Sequence, residues 1–522
     1  MLRGGAVSLM VLAASCASVN QELLDAQLPE PPQEWTAGED VSDPPVGDWL
    51  APFGDPSLYA LIDEAMVHNN NLLAAFANLD AARAGAKITR AGLLPQLNAS
   101  GGASRNAIVS DPSLAAQVGG APVASGTSAK DLEQQFGVDA DGDGRLDGLD
   151  LNGDGIAESP LPNRRVYINN YSLGASISWE IDLWGRLSDE TRASYKEAKA
   201  SYADLDGMRL SIAGAVAQSW FALIETRQQR ELSERDVTAR ERNLSVTERR
   251  FERGVASSLD VCVCRVPPLV PAEQHLHFVS ARRKEASRRL EVLLGRYPQA
   301  EIEAAENLPE LPTLAGAGAP GDILARRPDL VAAEARMAAS GLRARAARKQ
   351  LLPRLTLTSQ IGAGGPDLSD LFDPERLAGN IAAGLFQPIF QAGRVRATAK
   401  RQRALAEASL LSYAQTALQA YEEAENAIAA ENFLAARESA LKLAFEEAAA
   451  AEDLTERRYT SGTATIFNLL DAQTRRILSE SQYIQAQQQR VSNRVQLYLA
   501  IGGDFVTESA PVIVRADAGE QE

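Results

Sequence analysis

The chain has 522 residues, of which 45 % are apolar and 23 % are charged, and its formal net charge is −17 at pH 7. A chain of this length can form a large core or several domains. The negative charge argues against nucleic acid as a partner, because phosphate binding requires a basic surface. Aromatic residues make up only 6 % of the chain, which is few for a protein built around one thick core.

The first residues are typical of a short signal peptide over 1–15. One Arg precedes an apolar run that ends in small residues before Cys16, as expected at a signal cleavage site. The stretch LAASC resembles a bacterial lipobox, which predicts that Cys16 is acylated and begins a lipidated, extended segment over 16–55. Ordinary cleavage that discards Cys16 is the alternative. No later stretch is long and apolar enough to predict a transmembrane helix.

The rest of the chain reads as a tandem duplication. Gly185 lies 69 residues before Gly254, and Gly393 lies 69 residues before Gly462. Similar stretches also recur in the same order: AGLLPQLNASGG (91–102) and RKQLLPRLTLTSQIG (348–362), WEIDLWGR (179–186) and FQPIFQAGR (386–394), RRFERGVASSLDV (249–261) and RRYTSGTATIFNLLDA (457–472). We therefore predict a first repeat over 56–295, a connector over 296–318, a second repeat over 319–503 and a C-terminal tail over 504–522.

The two Gly-to-Gly segments have the composition of long helices. Both 69-residue segments lack proline and are rich in Ala, Glu, Arg and Leu, residues that favour helix. As continuous helices they would each span roughly 100 Å.

The strands alternate apolar and polar residues. Between Tyr167 and Ile181 the apolar side chains fall on one face and mostly polar ones on the other, and residues 355–361 alternate similarly. Outer-membrane strands have this pattern over about 10 residues. Each repeat supplies two strands, and four strands are too few to enclose a duct, while lipid does not tolerate open sheet edges. Strands in a membrane would therefore require several copies of the chain to share one barrel.

Several motifs resemble the TolC-like outer-membrane factor family, in particular its lipoprotein members that serve drug-efflux pumps. The resemblance covers roughly residues 35–505. The motifs that carry it are FGDPSLYALIDEAMVHNNNLLAAFANLDAARA (53–84), EIDLWGR (180–186), ARRPDLVAAEARMAAS (325–340), LLPRLTL (351–357), and the turns GVASSLDV (254–261) and GTATIFNLLDA (462–472).

The resemblance implies a mainly α fold with a membrane β-barrel portion. In the first repeat it implies a helix over 56–92, a strand near 94–104, a second strand over 167–182, a helix over about 187–253, a turn at Gly254 and a return helix that ends near Leu294. Each protomer of a homotrimer would give four strands to a shared 12-stranded barrel and its long helices to a periplasmic α-barrel. The trimer would lie in the outer membrane of a Gram-negative bacterium, lipid-anchored and extending into the periplasm. It would act as a passive duct for small molecules delivered by an inner-membrane pump through a periplasmic adaptor, without enzymatic activity and without a required cofactor.

The resemblance also implies that the two helix-to-helix turns form the periplasmic tip and gate. Gly254 and Gly462 suit such turns, because positive φ is favourable only for Gly. Tyr459 and Asp471 match family gate positions, and Asp260 holds the equivalent place in the first tip. Carboxylates from three protomers would form a cation-sensitive ring. The alternative is that Asp260 and Asp471 cap or solvate a helix start.

The first repeat holds about 50 residues that the second lacks, in an insert over about 104–166. The insert joins two predicted membrane strands on the side away from the periplasmic helices, which predicts an extracellular loop. Its acidic residues follow the spacing of an EF-hand calcium loop and then begin a second, overlapping run. The predicted Ca²⁺ ligands are Asp139, Asp141, Asp143, Asp147, Asp150, Asn152 and Asp154. A solvated acidic turn cluster is the alternative.

A second cluster lies in CVCRVPPLVPAEQHLHF (262–278). Cys262, Cys264, His275 and His277 match the ligand types of a zinc site. The repeat, however, predicts an Ala- and Gln-rich helix here, and three prolines would break it. Because the length of the segment matches the second repeat although its composition does not, a pair of compensating frameshifts and a genuine irregular segment are the other two explanations.

Two alternatives to the drug-efflux duct remain open from the sequence. One is a type I protein-secretion duct, which the lipobox and the NNNLLAAF stretch disfavour. The other is a calcium-binding cell-surface protein with helical stalks, which would not form a pore. An enzyme is not predicted, because the sequence offers no recognisable catalytic triad, carboxylate pair or phosphate loop.

Overall fold

The computed structural model describes residues 32, 34–37, 47–109, 137–138, 148–149, 165–265, 269–314 and 316–503. The predicted signal peptide, Cys16, the C-terminal tail and nearly all of the insert lie outside these residues. Within them, no helix is both long and apolar enough to cross a membrane. By internal contacts the chain divides into a helical unit, drawn from 1–89, 189–348 and 393–522, and a strand unit, drawn from 90–188 and 349–392.

The order of the elements is the predicted one. The main helices are α1 Pro56–His68, α2 Asn70–Ala91, α3 Arg186–Glu252, α4 Ser258–Arg265, α5 Leu269–Leu293, α6 Pro328–Lys349, α7 Arg394–Thr460 and α8 Ile466–Ala500. The strands are β1 Gln96–Val109, β2 Gly137–Val138, β3 Gly148–Leu149, β4 Arg165–Ile181, β5 Arg354–Gly365 and β6 Ala378–Phe386. The long helices α3 and α7 have 67 residues each, which confirms the equal lengths that the repeat predicts.

The predicted helix over 56–92 is wrong in one respect, because it is two helices that meet at Asn69. Asn69 is extended, with φ −69° and ψ 119°, and its Oδ1 accepts hydrogen bonds from the N–H groups of Asn71 and Leu72 at 2.9 and 3.2 Å. Its Nδ2 donates to the carbonyl of Leu293 at 2.7 Å. Asn side chains compete with helical hydrogen bonds in this way and favour caps, so the NNN stretch ends one helix and starts the next.

The second repeat has the corresponding break before α6, at Arg327. Arg327 precedes Pro328, which cannot continue a helix from the residues before it. Its Nη1 donates to the carbonyl of Ala500 at 3.0 Å, and its guanidinium forms ion pairs with Asp329 and Glu423, each at 2.8 Å. In both repeats a side chain at the break thus donates a hydrogen bond to a carbonyl at the end of the last helix of that repeat. The last carbonyls of a helix have no hydrogen-bond donor within the helix itself.

The core of the helical unit joins the start of the chain to both repeats. Trp49 is fully buried and contacts Tyr498, with 6.2 Å between ring centroids, while Phe53 lies 5.2 Å from Phe221. Upstream, the indole N–H of Trp35 donates to the carbonyl of Gly318 at 2.6 Å. The described part of the N-terminal segment is therefore held against the connector and the last helix.

The strand unit contains one antiparallel four-stranded sheet in the order β1-β4-β5-β6. The register puts Leu97, Ile177, Ser359 and Ile381 in one row across the sheet, and Asn98, Ser176, Gln360 and Asn380 in the next. Residues paired across strands share a face, so one face is mainly apolar and the other is uncharged and polar in these rows. This confirms the predicted alternation.

The two outer strands of this sheet, β1 and β6, have no strand partner on their outer edges among the described residues. The apolar face is also open: Leu97 and Ile381 are 70 % and 78 % exposed. A long edge strand with exposed apolar residues invites pairing with another chain. The single chain therefore leaves the sheet incomplete on both sides.

Candidate functional site

The two helix-to-helix turns have the same backbone geometry. Each turn is taken together with the end of the helix before it, and we call these segments the first tip (247–260) and the second tip (455–468). Gly254 and Gly462 adopt φ of 74° and 79°. The N–H of Val255 donates to the carbonyl of Arg250 at 2.9 Å, and that of Thr463 to the carbonyl of Arg458 at 2.8 Å. This six-residue closure at a left-handed Gly is the Schellman motif, so both glycines lie where the sequence predicts them.

The helix that follows each tip begins with a capping box. In the first tip the N–H of Ser257 donates to Asp260 Oδ2 at 2.8 Å, and the N–H of Asp260 donates to Ser257 Oγ at 3.2 Å. In the second tip Thr465 and Asn468 make the same reciprocal pair. Asp260 therefore corresponds in register to Asn468 rather than to Asp471. Of the two roles weighed for Asp260, capping is the one with direct contacts in this chain.

Asp471 lies three residues beyond the second capping box, on the exposed surface of α8. Its carboxylate pairs with Arg475, one helical turn further on, at 2.8 Å. Exposed pairs of this spacing contribute only about 0.3–0.5 kcal/mol. Asp471 is thus a solvated carboxylate, available to a partner, and it has no part in the cap.

Tyr459 is buried where the two tips pack together, in a group of residues that we call the tip cluster. Its ring lies 4.5 Å from the guanidinium carbon of Arg250, and its hydroxyl is 3.4 Å from Thr247 Oγ1. Arg250 also donates to the Tyr459 carbonyl at 3.4 Å. The apolar part of the cluster consists of Cys264, Ile466 and Leu469. The predicted gate residue is therefore held by the first tip through a cation–π contact and packing.

The sequence alone did not indicate that Arg250 and Thr247 are the partners of Tyr459. The repeated Arg pairs, Arg249–Arg250 and Arg457–Arg458, were visible in the sequence only as a mark of the duplication. Phe251, which corresponds to Tyr459 in the first tip, is 48 % exposed. The two tips are therefore alike in backbone and different in burial.

The four residues weighed as zinc ligands are not brought together. Cys264 is buried in the tip cluster, whereas Cys262 is exposed, and His275 and His277 are exposed positions two residues apart on α5, where they point in different directions. Across the part of the chain that the structure describes, no group of three or more His, Cys, Asp or Glu residues could hold a metal ion. Burial also raises the pKa of the Cys264 thiol, although a contact with Thr247 opposes the shift, and a metal requires the thiolate.

The segment around these cysteines does interrupt the helix, as its prolines predict. α4 ends at Arg265, and α5 begins at Leu269 with Pro271 in its first turn, where proline is tolerated. The second tip instead continues into one unbroken 35-residue helix. The first tip is consequently followed by a short helix, and the second by a long one.

A groove of about 510 Å³ lies beside the tip cluster, between α3, α5 and α8. Its walls carry the ion pair of Arg240 and Asp236, at 2.7 Å, and its lining also includes His275, Phe467 and Asp471. Phe467 is 49 % exposed. The groove therefore offers an exposed aromatic side chain beside charged groups of both signs, a composition suited to a protein partner.

The calcium ligands predicted in the insert lie outside the described residues. On either side of Asp139, Asp141, Asp143 and Asp147, the short strands β2 and β3 pair with each other, with Gly137 opposite Leu149. The two ends of that acidic segment are thereby brought side by side.

A duplicated chain with two 67-residue helices, paired turns at one end and an incomplete sheet with one apolar face is typical of an outer-membrane duct. Comparison with known proteins agrees with this class. The family described as outer membrane efflux protein matches residues 61–134, 137–296 and 319–503, and the chain belongs to that family. It is an outer-membrane channel component of an efflux system.

Individual relatives resemble the chain over nearly its whole length. The pyoverdine export outer membrane protein OpmQ of Pseudomonas aeruginosa is 30 % identical over 513 residues, which cover 96 % of this chain and 97 % of the relative. The toluene efflux pump outer membrane protein TtgC of Pseudomonas putida is 28 % identical, with 93 % of each chain covered. The CmeC outer membrane channel of Campylobacter jejuni shares the fold, with a TM-score of 0.75, 19 % identity, and 91 % of this chain and 92 % of that chain covered.

Proposed function

We propose that the chain forms the homotrimeric duct of a tripartite efflux system, which passively carries small molecules outward from a periplasmic adaptor and an inner-membrane pump. The observation that carries the proposal is the four-stranded sheet, whose edge strands β1 and β6 have no further strand partner among the described residues and whose faces are apolar on one side and polar on the other. Three copies joined edge to edge would give a closed 12-stranded barrel, apolar toward lipid and polar toward the lumen. The relatives named for pyoverdine and toluene support a small-molecule cargo.

The tips are the proposed gate and the proposed meeting place with the adaptor. Tyr459 is tied to the first tip through Arg250 and Thr247, so the two tips cannot separate without breaking these contacts. The groove lined by Phe467 and Asp471 is open beside the same cluster. An adaptor that binds there could favour the separated state by binding it more tightly than the closed one.

Planar-bilayer recording of the purified protein tests the duct. We expect a trimeric species with a stable conductance that prefers cations, and Asp260→Asn is expected to lower the cation preference without disturbing the turn, because Asn468 forms the same capping box in the second tip. Ser257→Ala is the matched control that weakens the cap and keeps the charge. A monomer without conductance would contradict the proposal and favour the calcium-binding surface protein instead.

We further propose that Cys16 carries a lipid that anchors the N-terminus to the outer membrane. Described residues that follow it in the chain support this arrangement, because Trp35 is hydrogen-bonded to Gly318 and the N–H groups of Thr36 and Ala37 donate to the carboxylate of Glu425 at 2.9 and 2.8 Å. The intervening residues, when extended, can span roughly 60 Å. Incorporation of labelled palmitate by the wild type and not by Cys16→Ala is the expected result, and equal labelling would contradict it.

The acidic segment of the insert is proposed to bind Ca²⁺ at the outer mouth of the duct. The β2–β3 pair, which holds the two ends of the segment together, supports a closed ligand loop, and weak Asp-rich sites suit the millimolar calcium outside a cell. We expect 2 mM Ca²⁺, a concentration of the order seen at such extracellular sites, to protect the insert from proteolysis. Protection should be lost in Asp141→Asn/Asp143→Asn, and cleavage that ignores calcium in the wild type would contradict the proposal.

A further inference from the structure

The first three turns of α7 form a basic patch in an otherwise acidic protein. Residues 394–406 contain five cations and no acidic residue, whereas the whole chain has a net charge of −17. All five side chains are exposed: Arg394, Arg396, Lys400, Arg401 and Arg403. The residues between them, such as Val395 and Ala399, are half-buried instead. The patch is therefore a charged surface that is exposed on the single chain.

The duplication provides an internal comparison for this patch. The corresponding window at the start of α3, 186–198, contains three cations and three acidic residues, so its net charge is zero. Cations in the first turns of a helix are unfavourable, because the helix dipole is positive there, and α7 has no acidic residue in its first turn. The patch consequently does not serve the stability of α7, and the repeat architecture does not require it.

Three of these cations lack an acidic partner. Arg403 pairs with Glu407 at 3.1 Å, but Arg396, Lys400 and Arg401 make no ion pair with any acidic side chain that the structure describes. In α3, by contrast, the acidic residues are contacted by other helices, as in the pair of Glu197 with Arg343 at 2.9 Å. Positive charges that lie close together without acidic neighbours favour the binding of an anion from outside the protein.

The chain leading into the patch carries exposed apolar side chains. Ile389 is 97 % exposed and Phe390 is 86 % exposed, and Phe390 lies four residues before Arg394. Apolar and aromatic residues followed directly by cations are typical of the membrane interface, where the former enter the acyl boundary and the latter meet headgroup phosphates. A soluble anion would leave these apolar side chains unexplained.

We propose that the basic patch binds the headgroup of an anionic phospholipid in the membrane leaflet that faces the periplasm. Arg396, Lys400 and Arg401 meet the phosphate. The inference goes beyond the proposed duct function, because a duct requires a barrel and a lumen but no lipid of a particular charge. It also explains the difference between the two repeats: the cations at the start of α7 have no acidic residues among them, whereas those at the start of α3 are matched by an equal number of acidic residues.

The test is titration of the full-length protein, in neutral detergent, with dioleoylphosphatidylglycerol or dioleoylphosphatidylcholine, followed by native mass spectrometry. We expect the wild type to retain the anionic lipid preferentially, and the preference to fall as salt is raised. Arg396→Gln/Lys400→Gln/Arg401→Gln is expected to weaken phosphatidylglycerol binding roughly fivefold per cation, or about 100-fold in total. Conductance in neutral bilayers should stay at the wild-type level, which separates this test from that of the duct.

Matched variants keep the result interpretable. Arg192→Gln/Lys196→Gln/Lys199→Gln removes the same charge from exposed positions of α3 and should change binding less than twofold. Arg396→Lys/Arg401→Lys keeps the charge and should keep the affinity, even if the neutral variant folds poorly. Equal losses in the two neutralised variants, no preference over phosphatidylcholine, or displacement of the lipid by millimolar inorganic phosphate would each overturn the proposal.

Discussion

Replacing Gly295 with Ala is expected to destabilise the helical unit by about 3 kcal/mol or more. Gly295 follows α5 with φ of 74°, and a Cβ built there would lie 2.5 Å from the carbonyl oxygen of His68. A left-handed conformation costs a residue with a side chain about 1–2 kcal/mol, and overpacking against backbone that cannot move adds about 1–3 kcal/mol. The measurement is thermal unfolding followed by the helical circular dichroism signal, and the midpoint temperature of the variant should be lower than that of the wild type.

Gly254 provides the matched control for this prediction. It has the same φ of 74°, but a Cβ there would meet nothing within 4 Å. Gly254→Ala should therefore show only the conformational cost, and Gly502→Ala an intermediate effect, because its Cβ would lie 3.0 Å from the backbone of Arg326 and Arg327. If Gly254→Ala lowered the midpoint as much as Gly295→Ala, close packing at the end of α5 would not be the cause.

Replacing Tyr459 with Ala is expected to separate the two tips and raise the single-channel conductance. The side chain is only 8 % exposed, and truncation of a buried aromatic residue costs about 3–5 kcal/mol. Arg250 would lose its cation–π contact and Thr247 its hydroxyl neighbour. The tip cluster joins the two tips. Its loss should therefore favour the open state, which is measured as a higher conductance in planar bilayers.

Two variants separate gating from general damage. Tyr459→Phe keeps the ring over Arg250 and removes only a long hydroxyl contact of 3.4 Å, so conductance should stay near the wild-type level. Phe251→Ala removes the corresponding but half-exposed ring of the first tip and should have little effect. If Phe251→Ala raised conductance as much as Tyr459→Ala, or if Tyr459→Ala left it unchanged, the tip cluster would not be the gate.

The length and ends of the long helices could be read from the sequence because they depend on neighbouring residues. Gly254 and Gly462 end α3 and α7 through a turn that needs only a left-handed glycine and nearby carbonyls. The capping boxes that follow are likewise local, since each spans only four residues. The strand faces were predictable for the same reason, since alternation along β4 is a local pattern.

The break at Asn69 shows where local reasoning was incomplete. Helix propensity favours continuity through 56–92, and the NNN stretch is a weak cap signal by itself. The break is stabilised by a hydrogen bond from Asn69 to Leu293, 224 residues away. The proline-rich segment after the first tip was the reverse case, because its prolines were enough to predict that the helix is interrupted there.

The sequence by itself determined the duplication, the paired turns, the two-faced strands and, through its motifs, the family. These features depend on residues that are close together in the chain, because helix propensity, capping and the alternation of side chains are all local effects. Only the tertiary structure decided that Tyr459 is buried beneath Arg250, 209 residues away, and that Phe251, its counterpart in the repeat, is not. Contacts at such separation depend on how the helices pack, and packing distinguishes two turns that the local sequence makes nearly alike.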